Sequence, residues 1–343
     1  MSAAVPTPYT RPRLGFAGVG WIGLKRLQSV AAANVADIVS ITDLSADCAA
    51  RAVAALQGRV PQDSIRTVRS FDELLNQDLD GVVIATPSGL HAQQTMAALE
   101  RGRAVFCQKP LARSALETAQ AIAAAHTHDR LLAVDFCYRM VAGVPQLLQL
   151  ARSGAIGEIF AADLVFHNAY GPDKPWFYDL AQSGGGCVMD LGIHLIDLLL
   201  LVLDYTPLAG VRSRLYAGGK LLPKPARDLE DHALAEVEFV TGATARIACS
   251  WRLSAGQDAV ISASFHGTRG SLILHNVGGS FYEFTVEHCE GTRRRTLAAG
   301  PDDWGGRAVN TWARHLGTSP GFDDSASRLQ DVAEVIDAIY GRI

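Results

Sequence analysis

The turn Gly18-Val19-Gly20-Trp21-Ile22-Gly23, set between an apolar run and a helical stretch, constrains the fold of this chain more than any other segment. The run before it, Leu14-Gly15-Phe16-Ala17, reads as a buried strand, and residues 22–32 read as an amphipathic helix. In that setting the first glycine permits the tight turn, the second lets a pyrophosphate approach the backbone, and the third lets helix and strand pack closely. The helix then points its first N–H groups and the positive end of its dipole at the phosphates. Gly18, Gly20, Trp21, Ile22 and Gly23 are therefore expected to hold a dinucleotide, because strand, turn and helix occur in the required order.

The same alternation continues. Further strands are expected at Ile38-Val39-Ser40-Ile41, Val82-Val83-Ile84-Ala85, Ala104-Val105-Phe106-Cys107 and Leu131-Leu132-Ala133-Val134, with a weaker one at Thr67-Val68. Helical segments lie near 46–57, 89–101 and 114–127. Continuous apolar strands separated by helices require a parallel sheet covered on both faces. Asp43 stands at the end of the second strand, 23 positions beyond Gly20, where a carboxylate accepts both ribose hydroxyls and repels a 2′-phosphate. No basic residue adjoins it, so NAD is expected in preference to NADP. The competing reading of Asp43 is a turn or the N-cap of the following helix.

Size and charge limit the alternatives. A chain of 343 residues is long enough for two domains. With 48% hydrophobic and 19% charged residues it has the composition of a globular enzyme. Its formal charge of −4 argues against nucleic-acid wrapping, which needs a cationic face. Arg293-Arg294-Arg295 reads as the cap of a solvated strand or turn rather than a polyanion site. The six cysteines are scattered, form no C-x-x-C pair, and fit a reducing, cytoplasmic compartment. Met1 to Pro12 lacks the apolar core of a signal peptide and is expected to be a loose arm. The most apolar run, Ile193 to Leu203, is too short to span a bilayer and carries Asp197.

Two further segments carry chemistry. Thr86-Pro87-Ser88-Gly89-Leu90-His91 and Gln108-Lys109-Pro110 each follow an expected strand, at the sheet edge where open parallel sheets bind ligands. Thr86, Pro87, His91, Gln108 and Lys109 are expected to line the cofactor. Loop punctuation explains the prolines equally well, but Lys109 brings an ammonium to the end of a buried strand, where it needs a partner. In the second half, Ser183-Gly184-Gly185-Gly186 precedes Asp190-Leu191-Gly192-Ile193-His194, on a helix expected to start near Cys187. Asp190 and His194, four apart, share one helix face. A satisfied core histidine with its hydrogen-bond partner is the competing reading, and a zinc pair is another, although no third ligand has a telling spacing. Gly192 costs about 1 kcal/mol in a helix interior, which a close approach would explain.

Taken together, these segments resemble the family of glucose–fructose oxidoreductase and inositol dehydrogenase, Gfo/Idh/MocA, over nearly the whole chain. The resemblance rests on the glycine turn, Thr86-Pro87 with His91, Lys109-Pro110-Leu111, the triglycine, and Asp190-Leu191-Gly192-Ile193-His194. It implies an N-terminal Rossmann domain and a C-terminal α/β domain whose open, mainly antiparallel sheet commonly makes homodimer or homotetramer contacts. The expected layout is an arm over 1–12, a dinucleotide domain over 13–135 and a substrate and oligomerisation domain over 136–343. Strands at 233–240, 245–251 and 259–265, and a terminal helix near 325–339, agree with it.

The resemblance also assigns roles. Lys109 matches the lysine that binds the reacting oxygen, and Asp190 and His194 match the acid–base pair. Gln108 departs from the family's usual Glu-Lys-Pro and Ser88 from its usual Asn, which removes one possible charge partner of Lys109. The implied reaction exchanges a hydride between nicotinamide and a secondary alcohol or ketone of a sugar or cyclitol. An imidazole, with an ordinary pKa near 6.5, suits the accompanying proton exchange. Tyr138, Arg139, His167, Trp176 and Arg252 are expected to rim the substrate, since aromatic faces and charged hydrogen-bonders suit a sugar ring. An NAD-dependent glycosidase on the same scaffold, a non-catalytic sugar or dinucleotide sensor, and an imine or biliverdin-type reductase are the rival readings.

Overall fold

The computed structural model describes residues 9–60 and 65–343, which pack as two compact units. The first comprises the described residues of Met1–Ala112 with Leu116–Asp135 and Gly305–Leu329; the second comprises Arg113–Ala115, Phe136–Trp304 and Gln330–Ile343. The segment Gly305–Leu329, which the sequence reading put in the C-terminal domain, thus returns to the first unit.

In the first unit the order is β1 (Arg13–Ala17), α1 (Trp21–Ala33), β2 (Asp37–Thr42), α2 (Ala46–Ala54), β3 (Arg66–Thr67), α3 (Phe71–Leu75), β4 (Gly81–Ile84), α4 (His91–Glu100), β5 (Ala104–Cys107), α5 (Ala115–Thr127) and β6 (Leu132–Val134). The strands pair in parallel in the order β3-β2-β1-β4-β5-β6. Leu14, Phe16, Ile41, Val82, Ile84 and Val105 are fully buried, which explains why these strands read as unbroken apolar runs. The order reverses between β1 and β4, so the glycine turn and the Thr86 loop leave the sheet at its switch point, where such sheets bind ligands.

Of the expected loose arm, residues 1–8 lie outside the described residues. Residues 9–12 are not loose. The Tyr9 hydroxyl donates to the Val35 carbonyl, Thr10 N–H donates to Gly317 O at 2.8 Å, and Pro12 O accepts from Asp37 N at 2.8 Å. Backbone pairing of this kind ties a terminus down as well as a strand does.

The second unit contains α6 (Val144–Arg152), β7 (Ile159–Asn168), α7 (Leu180–Ser183), α8 (Ile193–Val202), β8 (Leu208–Ala217), β9 (Lys220–Leu221), β10 (His232–Phe239), β11 (Thr244–Ser250), β12 (Ala259–Gly267), β13 (Ser271–Asn276), β14 (Phe284–Glu290) and β15 (Arg293–Ala298). In the remainder of the chain, α9 (Arg307–Leu316) belongs to the first unit and α10 (Leu329–Tyr340) lies almost wholly in the second. The nine strands run β15-β14-β13-β12-β7-β11-β10-β8-β9, antiparallel except for the β7–β11 pair. Alternate residues such as Leu164, Phe166, Ile247, Cys249, Ile261 and Phe265 are buried on one face, against helices that include α8. Their neighbours Asp163, Val165, His167 and Arg246 point to the other face and stay partly or wholly exposed. Arg293, Arg294 and Arg295 form the exposed edge strand β15, as charges at a sheet edge should. The stretch Leu180–Val202 is long and apolar enough to cross a membrane, but it is buried inside this unit as its core helix.

Candidate active site

In the first unit, Gly18 has φ +81°, and a Cβ there would lie 2.5 Å from the Ala85 carbonyl oxygen. A Cβ on Gly23 would overlap the Gly18 carbonyl, so both glycines are required by packing of the turn itself. Gly20 differs, because a Cβ there would meet nothing within 4 Å. It stands at the N-cap of α1, which has no side-chain cap and no acidic residue in its first turn. The first N–H groups of the helix are thus left for an external acceptor, in a cradle that a phosphate fits. Trp21, 63% exposed, and the half-buried Ile22 form the first turn.

Asp43 accepts from Val19 N–H at 2.7 Å and from Ser45 N–H at 2.8 Å. It is not the helix cap; Ser45 caps α2 through its hydroxyl. The carboxylate therefore fixes the glycine turn and keeps lone pairs for further donors such as ribose hydroxyls.

The loops after β4 and β5 are joined by His91. Its Nε2 lies 2.7 Å from the Thr86 carbonyl and its Nδ1 2.7 Å from the Pro110 carbonyl. Both partners only accept, so a neutral ring satisfies one at a time; burial, the largest influence, lowers its pKa. Expected as a cofactor ligand, His91 instead braces the two loops and has no ring nitrogen left over. The Thr86 hydroxyl donates to Gln94 Oε1 at 2.6 Å, and Pro87 leads into the short turn Ser88–Leu90. Gln108 also turns inward. Its amide donates to Asp135, which is fully buried and pairs with Arg26 of α1. Burial raises the Asp135 carboxyl above its ordinary value, while Arg26, Gln108 and Lys109 oppose the rise. A carboxylate thus sits near Lys109 after all, just after β6 rather than at position 108. Sequence reading missed Asp135 and Arg26, although an Asp ending a buried run and an Arg inside an apolar helix were visible signals.

In the second unit Asp190 lies in a π-helical turn, Val188–Gly192, that runs into α8 at Ile193. The expected single α-helix is therefore interrupted at the acid, and such π turns concentrate at functional sites. Trp251, the residue after β11, donates its indole N–H to Asp190 Oδ2 at 3.0 Å. His194 is buried beside the Tyr138 ring, with centroids 4.7 Å apart. Gly192 is explained by Cys249, whose Sγ would lie 3.2 Å from a Cβ there.

The triglycine is filled from within. Gly184 has φ +79°, a Cβ on Gly185 would overlap the Tyr340 hydroxyl, and one on Gly186 would overlap the Glu230 carbonyl. The buried Glu230 carboxylate accepts from Gly186 N at 3.0 Å, Val188 N at 2.8 Å and the Tyr340 hydroxyl at 2.8 Å. It holds the start of the helix that carries Asp190 and His194. Nothing in the charged stretch Arg227-Asp228-Leu229-Glu230-Asp231 marks Glu230 as buried.

The five expected substrate residues are not brought together. Tyr138 is buried in an aromatic cluster with Phe166, Phe284 and Trp304, under His194. Arg139 pairs with Asp197 through its Nε, at 2.8 Å, and one terminal guanidinium nitrogen. His167 points away. It follows Phe166, which lies 6.5 Å from His194, so strand alternation turns its ring to the opposite face. There it contacts Ser250 Oγ at 2.7 Å and stacks on His232, and its pKa falls to about 4 through burial and that neighbour. Trp176 stacks on Phe177 at 3.8 Å in the turn Pro175–Tyr178. Arg252 lies over the Tyr178 ring, which packs on Trp251 at 5.7 Å. Trp176 and Arg252 therefore remain on the side of the chain that holds Asp190, through the Phe177, Tyr178 and Trp251 rings. Among the described residues no three of His, Cys, Asp and Glu gather as a metal-ligating group.

Residues 13–136 match an oxidoreductase family with an NAD-binding Rossmann fold, and residues 144–273 match the GFO/IDH/MocA C-terminal domain. The chain is 31% identical over 216 residues to 1,5-anhydro-D-fructose reductase of Ensifer adhaerens, a match covering 62% of each protein. It is 28% identical over 250 residues to levoglucosan dehydrogenase of Pseudarthrobacter phenanthrenivorans, covering 65% of this chain and 63% of the relative. The chain thus spans less than two thirds of the length of these curated relatives. Among solved structures, a levoglucosan dehydrogenase in complex with NADH shares the fold, with a TM-score of 0.80 over 96% of each chain at 22% identity.

Proposed function

Because the chain belongs to the Gfo/Idh/MocA family of oxidoreductases, we propose that it is a nicotinamide-dependent dehydrogenase or reductase acting on a sugar, cyclitol or sugar derivative. The observation that carries the proposal is the Asp190 carboxylate, held by the Trp251 indole in a π turn one turn before a buried histidine. A protein that only packed this helix has no need to aim an indole N–H at an acid four residues before a buried imidazole. The names of the relatives, a reductase of anhydrofructose and a dehydrogenase of levoglucosan, support a polyhydroxylated substrate.

The dinucleotide, when bound, supplies a hydride acceptor or donor. Gly20 and the first N–H groups of α1 receive its pyrophosphate, and Asp43 receives ribose hydroxyls, which favours NAD over NADP. His194 takes the proton from the substrate hydroxyl during oxidation and returns it during reduction. Asp190, oriented by Trp251, stabilises the imidazolium, and Lys109 stabilises the oxygen as it gains negative charge. We place the protein in the cytoplasm, where its six free thiols stay reduced. Self-association through the open face of the nine-stranded sheet is part of the same proposal.

A panel of polyols, sugars and glycosides with NAD and NADP, followed at the absorbance of the reduced nicotinamide, tests this reading. His194→Ala and Lys109→Met should each lower turnover about 10²- to 10⁴-fold, with dinucleotide affinity nearly intact. Unchanged turnover in both variants rules the roles out. Release of an aglycone without net reduction of cofactor would transfer the proposal to a glycosidase.

A further inference from the structure

Arg252 follows the tryptophan that orients Asp190, and its backbone is left-handed, with φ +59°. For a residue other than glycine, asparagine or aspartate this costs about 1–2 kcal/mol, and such strain collects where geometry serves function. The consequence can be read from the strand. Cys249 faces the helices, Ser250 the opposite side, and Trp251 the helices again, so regular alternation would send Arg252 away from Asp190. The left-handed turn brings it back.

The guanidinium lies 5.3 Å over the Tyr178 ring and donates to the Tyr178 hydroxyl at 3.1 Å. That hydroxyl in turn donates to Pro172 O at 3.0 Å, so the same oxygen is held both as acceptor and as donor. Gly171 makes room for the arrangement, because a Cβ there would overlap the Tyr178 hydroxyl. Asp190, Trp251, Tyr178 and Arg252 form one continuous run of contacts. Arg252 is exposed, and none of the ion pairs among the described residues includes it. By contrast Arg139, the other arginine expected near the substrate, is consumed by Asp197.

A cation held in place, with most of its donor fork free and no carboxylate to neutralise it, matches an oxyanion group bidentately. Resting on the dehydrogenase reading above, we propose that Arg252 is a specificity-determining residue that binds an anionic substituent of the substrate, so that the chain acts on acidic sugars. A carboxylate and a phosphate share the required chemistry, two coplanar or near-coplanar oxygens carrying negative charge.

Titration calorimetry on the NADH-loaded protein tests this, with glucuronate, galacturonate and glucose 6-phosphate set against glucose and galactose. The acidic probes should bind at least about tenfold tighter than their neutral counterparts, and the margin should shrink with added salt. Whether the uronates or the phosphate carry the larger margin identifies the anion. Arg252→Gln should lose at least about tenfold more affinity for the acid than for the neutral sugar. Arg252→Lys, which keeps the charge but not the fork, should restore part of the margin. Equal affinity for acid and neutral sugars, or a margin that survives Arg252→Gln, overturns the proposal. Selective, Arg252-dependent binding with no reduction of NAD by any probe would sink the dehydrogenase reading and leave the anion site standing. Turnover of neutral sugars in preference to acids would do the reverse.

Discussion

The glycine turn after β1 and the triglycine before α8 look alike as sequence, yet the space left by their missing side chains is used in opposite ways. Gly20 opens onto nothing within 4 Å, at a helix start with no internal cap. Gly185 and Gly186 open onto Tyr340 and Glu230, whose atoms fill the space and cap the helix from inside. Each segment is backed by a buried carboxylate. Asp135 has a cation, Arg26, while the Glu230 carboxylate is held by neutral donors. A glycine cluster thus marks close approach, and only the identity of the approaching atoms separates a ligand cradle from a packing joint.

The largest test of this contrast removes the charge beneath the first segment. Asp135→Ala leaves Arg26 buried without its carboxylate and should cost about 3–5 kcal/mol in urea unfolding; a loss below about 1 kcal/mol would mean the pair is dispensable. Next comes the glycine comparison itself. Gly186→Ala drives a methyl into backbone and should cost about 3 kcal/mol. Gly20→Ala, with φ −61° and open space, should change stability by less than about 0.5 kcal/mol. Its effect should appear instead in NADH affinity, weakened about tenfold on the scale where 1.4 kcal/mol is a decade. Equal losses of stability at the two positions would erase the distinction.

The smallest effect concerns pH. Burial raises the Glu230 carboxyl above its ordinary value of 4.5, against the hydrogen bonds from Val188, Tyr340 and Gly186. The folded chain therefore keeps this proton to higher pH than the unfolded chain does. The stability it contributes is full below the ordinary carboxylate range and is lost as pH rises through the folded value. Glu230→Gln cannot ionise, so its stability relative to the parent should improve as pH rises from 4.5. Urea midpoints measured across that range check the sign, and a difference independent of pH would show that Glu230 does not titrate there.

The parallel sheet was legible because both its faces are covered, which forces whole strands to be apolar. The catalytic candidates were legible as residue types at a spacing, but the face on which each points was not. His167 and Phe166 are neighbours in sequence and lie on opposite sides of β11's partner strand, a distinction that needs the covered face to be known. Glu230 was hidden in a charged stretch that reads as solvated loop. The return of α9 was hidden too, since the burial of Ala308, Val309, Trp312 and Leu316 reveals an apolar stripe but not what it covers.

That return has a consequence for how the molecule is made. Trp312 packs on Phe106 with ring centroids 5.6 Å apart, and Leu316 and Trp312 sit so close over β4 that Gly81 could not carry a Cβ. Part of the roof of the nucleotide-type sheet is therefore translated after almost the whole of the other unit. A ribosome delivering this chain exposes the β4–β5 face until residues beyond 316 emerge, so the N-terminal unit cannot be completed first. Cutting the gene after Asp135 would leave the β4–β5 face of the sheet bare and prone to self-association, and supplying 305–329 as a separate fragment is the natural way to cover it.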